Sequence, residues 1–256
     1  MRLLSPSMYG RYCLLRHTVR NYTRLAVLGC GEGDNVFDVQ DTSQNIHCFD
    51  INLHDVRVAK ISLNSSVCVS QQDIEHLAYT SSSFDGIICL ETLEHVPDIH
   101  KAIAEIARIT TKNAHVILSV PNYHFSFFND PINYILQNLF QTHLPLGVYG
   151  FGHKKLYTEE EMKSLLASNF TVKRVFVINK ACVGIIENYI PFFIQLIWKE
   201  NKSNTYNKSF QVIATQKKYT IPLIFAFFYS FLYSVDVFIC AWSHHGQTLF
   251  FECQRR

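Results

Sequence analysis

The chain has 256 residues, with 23 lysines and arginines against 21 acidic residues. That length fits one α/β domain with an elaboration, and the near-neutral balance excludes the broad basic footprint of a nucleic-acid binder. The eight cysteines form no C-x-x-C pair, so they read as reduced, buried thiols rather than disulfides or a zinc site, and no metal is expected.

The N-terminus "MRLLSPSMYGRYCLLRH" has no apolar stretch long enough for a signal peptide before its arginines interrupt it, so a cytoplasmic chain is expected. From residue 24 an α/β rhythm begins. The runs "RLAVLG" (24–29), "NIHCFDI" (45–51), "FDGIICLE" (84–91) and "AHVILSV" (114–120) are short, nearly continuous apolar strands. Strands of that kind, separated by helical segments, predict a doubly wound, mostly parallel sheet covered on both faces. Ile99, Ala102, Ile103, Ile106 and Ala107 recur at helical spacing, with Pro97 and Asp98 suited to the first turn and Asn113 to a turn beyond it. Thr158 and Glu161 make a capping box, which predicts a helix over 159–168 with Asn169 as a left-handed stop. "FTVKRVFVI" (170–178) alternates as a strand, and "GQTLFFECQRR" at the end reads as the last one.

The first strand runs into "VLGCGEGDN", a glycine turn that offers backbone N–H groups to a ligand. Its spacing is G-x-G-x-G rather than G-x-G-x-x-G, and Glu32 inside the turn would repel a pyrophosphate. Asp50, at the end of the second strand, can accept both hydroxyls of a ribose. The residues therefore ask for a nucleoside without phosphates and with a positive centre.

"VLGCGEGDN", "CFDIN", "QQDIEHLAYTSSSFDGIICLETLEHVPD" and "AIAEIARITTKNAHVILSVPN", in that order, resemble the motif set of class I S-adenosylmethionine-dependent methyltransferases. The subgroup resembled is the one that includes ubiquinone- and menaquinone-type biosynthetic enzymes. The resemblance implies a Rossmann-like methyltransferase fold and S-adenosylmethionine as cofactor. It implies that Gly29, Cys30, Gly31 and Gly33 form the cofactor turn, that Asp50 holds the ribose and that Ile51 lies against the adenine. Asp73 and Ile74 would meet the adenine edge, and Leu90 would offer a carbonyl to the ammonium. The family usually carries an acid two residues before the first glycine. Here that position is Val27, which leaves Glu32 or Glu91 to replace it and keeps a non-catalytic, cofactor-binding scaffold as the rival reading. A nicotinamide-dependent oxidoreductase is disfavoured by the glycine spacing.

Methyl transfer to a hydroxyl needs a base, and His153 in "YGFGHKKLYT" and His95 in "LEHVPD" are the candidates, each with a structural role as the alternative. Residues 122–157, rich in Phe and Tyr, lie where this fold inserts its acceptor-binding segment and suggest a pocket for a small or lipid-linked acceptor methylated at oxygen or carbon. Residues 1–182 are expected to form the methyltransferase core with an N-terminal helical segment, 183–244 an apolar helical elaboration, and 245–256 the last strand. Tyr219–Val235 carries no charge but falls short of the roughly 20 residues of a span. Peripheral contact of residues 183–243 with the inner face of a membrane is the expectation.

Overall fold

The computed structural model describes residues 6–43, 45–125, 127, 129–144, 147–149, 155–179, 231, 234 and 246–256. The expected apolar elaboration, apart from residues 231 and 234, and His153 lie outside the described residues.

Seven strands form one sheet: β1 (Leu25–Leu28), β2 (Ile46–Asp50), β3 (Val67–Gln71), β4 (Phe84–Leu90), β5 (Thr110–Pro121), β6 (Phe170–Ile178) and β7 (Thr248–Arg255), in the spatial order β3-β2-β1-β4-β5-β7-β6. The first five pair in parallel, and β7 enters antiparallel between β5 and β6. The apolar runs need two covered faces, and they have them. Ala26 and Leu28 of β1 join one core cluster, while Leu25 and Val27 join the other. Helices α4 (Ile99–Ile109) and α6 (Glu159–Leu166) cover the first face; α1 (Pro6–Thr18), α2 (Asp34–Phe37) and α3 (Leu53–Ser62) cover the second. Helix α5 (Pro131–Phe140) stands on the segment that follows β5.

Local chemistry sets the ends. The Asp98 carboxylate caps α4 by accepting from the His100 and Lys101 N–H groups. Thr158 and Glu161 complete the capping box of α6. That helix ends at Leu166, and Asn169 is not left-handed; the cap residue Ala167 stays in the right-handed region. Asn113 (φ 64°) bends the start of β5, whose pairing with β4 jumps from Phe84–Thr110 to Gly86–His115. The unexpected element is β3, "VCVSQ", an edge strand in which only Val69 is buried. Strand pairing there is held by β2 alone, so little apolar sequence is needed.

A candidate cofactor crevice at the carboxyl edge of the sheet

The carboxyl ends of β1, β2 and β4 open into a crevice of ≈540 Å3. In open α/β sheets ligands bind there, because helix N-termini and loop N–H groups converge beyond the strand ends. Of the residues singled out in the sequence, Gly29, Gly31, Asp50, Ile51, Asp73, Ile74 and His95 line it.

The glycine turn needs its glycines for two different reasons. At Gly29 (φ 64°) an added Cβ would fall 2.1 Å from the Thr92 Oγ1, so the β1 and β4 loops can touch only without a side chain. Gly31 (φ 53°) has open space at that position, and its backbone N–H donates to Asp50 Oδ2 at 2.8 Å. The other carboxylate oxygen, Oδ1, accepts from the Asn52 N–H at 2.9 Å. Both oxygens are thus fixed in direction and keep further acceptor capacity for a diol. Ile51 is 66% exposed at the rim and gives a flat apolar surface for a ring. Asp73 is fixed by the Glu75 N–H, which donates to its Oδ1 at 2.9 Å.

Cys30, Gly33 and Leu90 do not line the crevice. Cys30 is buried, with its N–H on the Phe49 carbonyl; Gly33 caps α2 and packs on Leu63; and the Leu90 carbonyl accepts from Thr92 Oγ1 at 3.0 Å. Val27 points into the core between Cys48 and Ile88, not into the crevice. Of the two carboxylates that could stand in for an acid there, Glu91 lines the crevice and accepts from Ser119 Oγ at 2.7 Å. Glu32 lies instead with His54 and Asp55, their ligating atoms within 4.8 Å of one another. Asn52, Asp55, Gln72, Glu91 and Thr92 complete the wall. Only the fold brings these residues, from three strand ends, together.

The electrostatics are one-sided. Asp50, Asp55, Asp73 and Glu91 face the crevice, and among the described residues no lysine or arginine lines it. Burial, and then the charge of Asp50, raises the Asp55 carboxyl above its ordinary value. Beneath the wall, the Glu94 carboxyl is 1% exposed and is pushed up to about 9 by burial, with Glu91 as the second cause. It therefore stands protonated at neutral pH, 3.7 Å from the His95 Nε2 on the crevice wall. Such a site repels phosphate and attracts a cation. A ribose acceptor, a stacking surface, an adenine-edge acid and a negative field fit S-adenosylmethionine, whose sulfonium and ammonium are both positive.

Comparison with known proteins points the same way. Residues 26–118 match the family described as a methyltransferase domain. The ubiquinone biosynthesis O-methyltransferase of Cupriavidus pinatubonensis is 30% identical over 142 residues, covering 53% of this chain and 54% of that protein. The enzyme of the same name from Ralstonia nicotianae is 31% identical over 100 residues, covering 38% and 42%. The chain thus spans about half the length of the curated relatives it matches. Among solved structures, a putative methyltransferase of Bacillus halodurans superposes with TM-score 0.56 at 13% identity, covering 96% of both chains. The N-methyltransferase NodS of Bradyrhizobium japonicum WM9, in complex with S-adenosyl-L-homocysteine, gives TM-score 0.54 at 14% identity over 72% of this chain and 85% of its own. The [4+2]-cyclase SpnF gives 0.60 at 14% over 96% and 80%. At these identities the likeness concerns the fold, and the cyclase is a reminder that one fold carries several chemistries.

Proposed function

We propose that the chain is a class I S-adenosylmethionine-dependent methyltransferase and that it transfers a methyl group to an oxygen of a small or lipid-linked acceptor. The observation that carries the reading is the acidic crevice, in which Asp50 is aimed by Gly31 and Asn52 and, among the described residues, no lysine or arginine competes. When bound there, the cofactor supplies an electrophilic methyl on a sulfonium. Asp50 would hold the ribose, Ile51 would back the adenine, Asp73 and Ile74 would meet its edge, and Glu91 would pair with the ammonium in the role an acid at position 27 would have had. The backbones of the Gly29–Gly31 turn pack along the methionine arm.

Displacement at the methyl is in-line, so the protein contributes position and a proton acceptor. His95 is our first candidate for that acceptor, because its ring stands on the crevice wall. His153 is the second, from its place in the loop before α6.

Calorimetry with S-adenosylmethionine and S-adenosylhomocysteine tests the reading. Saturable binding of both is expected, weakened about 10- to 100-fold by Asp50→Ala, the range set by losing a charge-assisted hydrogen bond. Absence of binding at millimolar cofactor would defeat the enzyme reading in favour of a scaffold. For the base, His95→Ala and His153→Ala are compared at saturating cofactor; a variant that keeps full turnover removes that histidine from the mechanism.

We further propose a peripheral membrane contact through residues 183–243, supported by their apolar sequence. No helix among the described residues is long and apolar enough to cross a membrane. Recovery of the protein wholly in the detergent-free supernatant as a monomer would end this part of the proposal.

A further inference from the structure

At the edge of the sheet opposite the crevice, β4 and β5 begin and β7 ends. A cleft of ≈290 Å3 opens there, lined by Ser81, Ser82, Arg108, Lys112, Arg255 and Arg256. Among the described residues no carboxylate side chain lines it.

The cleft lies at the last turn of α4, where a helix leaves four carbonyls without partners inside the helix. Here each of the four is taken. Thr110 Oγ1 donates to the Ile106 carbonyl and Arg255 Nε to that of Ala107 at 3.0 Å. The Ser82 and Ser83 N–H groups donate to the carbonyls of Arg108 and Ile109 at 2.8 and 2.7 Å. The helix end therefore presents no spare acceptor to the cleft.

The cations divide into two kinds. Arg108 is already engaged: its Nε and Nη2 pair with Glu105, and its remaining bonds go to the carbonyls of Leu77 and Tyr79. Lys112, Arg255 and Arg256 form no ion pair. Arg255 is held by neutral groups alone, with Nε on Ala107, Nη1 on the Asn169 carbonyl at 2.7 Å and its guanidinium 5.8 Å from the centroid of the Phe170 ring. Its Nη2 group is thus fixed in direction and makes no bond of its own. Arg256 is anchored by its backbone N–H on the Asn169 carbonyl at 3.1 Å and by Nε on Thr171 Oγ1 at 3.4 Å, which leaves both its Nη groups. A terminal carboxylate on Arg256 would offset only one of the three charges. The Ser81 and Ser82 hydroxyls, both at the exposed rim, also make no bond within the chain.

We propose that this cleft binds a phosphate group, with Arg255 presenting its fixed guanidinium edge and Lys112 and Arg256 meeting the remaining oxygens. A carboxylate, with one charge and two oxygens, would leave part of this donor set unanswered, whereas a phosphate brings more of both. The site stands across the sheet from the crevice and does not depend on the methyl-transfer reading. A soluble phosphoester and a phospholipid headgroup offer the same oxygens, and the test separates them.

Inorganic phosphate is titrated by calorimetry into the full chain, with sodium chloride at equal ionic strength as the control. The same protein is then sedimented with phosphatidylcholine vesicles, with and without phosphatidylglycerol. The native protein should bind phosphate saturably and one to one. The double variant Lys112→Met, Arg256→Gln, which alters two exposed side chains, should bind it about tenfold or more weakly, while Lys112→Arg should keep it. Thermal midpoints of all three proteins separate binding from folding. Retention on phosphatidylglycerol vesicles that the double variant loses identifies the headgroup as the source; phosphate binding without such retention identifies a soluble phosphoester. An equal response to chloride overturns the proposal, as does full phosphate affinity in the double variant. Absence of saturable phosphate binding, with vesicle retention either absent or unchanged in the double variant, overturns it too.

Discussion

Replacing Glu94 by Gln isolates the cost of the carboxyl buried beneath the crevice. In the fold that group is pushed up to about 9, burial being the main cause and the neighbouring charge of Glu91 the next. In the unfolded chain it ionises at the ordinary carboxylate value. Between those two values the folded protein holds one proton that the unfolded protein has released. A raised carboxyl contributes its stability fully below the unfolded value and loses it as pH rises toward the folded one. One proton corresponds to about 1.4 kcal/mol per pH unit, so from pH 6 to pH 8 the native protein should lose about 3 kcal/mol relative to Glu94→Gln, which does not titrate. Urea unfolding of both proteins at pH 6, 7 and 8 measures this directly. The two proteins match only near the unfolded carboxylate value, because Gln has nearly the shape of the protonated acid. At pH 6 the variant should already be the more stable, and by pH 8 the gap should have widened by about 3 kcal/mol. Curves that run parallel across the range would refute the reasoning, since they would mean that Glu94 ionises alike in both states.

Gly29→Ala should destabilise the fold by about 2 kcal/mol or more, because φ 64° is strained for alanine and the methyl meets Thr92. The same variant should abolish cofactor heat in calorimetry; a variant that binds normally would show that the turn has room. Gly86→Ala places a methyl 2.4 Å from the Tyr22 ring, which must move off its 2.7 Å hydrogen bond to His115 Nδ1. A loss of about 1–3 kcal/mol in chemical denaturation is expected. Glu252→Gln removes the buried partner of His115 Nε2 (3.0 Å) and Arg174 Nε (2.5 Å). As the Arg174 side chain is 56% exposed, solvent screens that pair, and the loss should be about 1–2 kcal/mol. Burial lowers His115, so its neutral form stabilises the fold above the ordinary imidazole value and that contribution is lost as pH falls below it. Thermal midpoints from pH 7 to pH 5 should therefore fall more steeply for the native protein than for His115→Gln.

The parts of the fold readable in advance were those whose local sequence carries its own reason. β1, β2, β4 and β5 are apolar because both their faces are covered, and the capping residues Asp98 and Thr158 act within one turn of chain. β3 escaped notice because an edge strand with one buried residue needs no apolar run. The cofactor wall divides along the same line. Gly29, Gly31, Asp50, Ile51, Asp73 and Ile74 sit in motifs whose backbone shape is local, and each of them reaches the crevice. Leu90 and Cys30 lie one residue from groups that do reach it, because alternate strand and turn residues point to opposite sides. Glu91 is one of the two acids the sequence offers in place of the missing one, and Thr92 could have been suspected from its place just after a strand.

The acids that line the crevice explain why the one missing at position 27 can be spared. An acid there would point from β1, but Val27 faces the core between Cys48 and Ile88, so a carboxylate in its place would be buried without water. The negative field comes instead from Asp50, Asp55, Asp73 and Glu91, at or just beyond the strand ends and each partly exposed to solvent. Methyl transfer cancels the sulfonium charge, and the acidic crevice then holds the neutral sulfur less strongly than the cation it received. Asp55→Asn together with Glu91→Gln should therefore weaken S-adenosylmethionine more than S-adenosylhomocysteine in calorimetry. Equal weakening of the two would place the carboxylates' influence on the ammonium alone, because that group is common to both ligands.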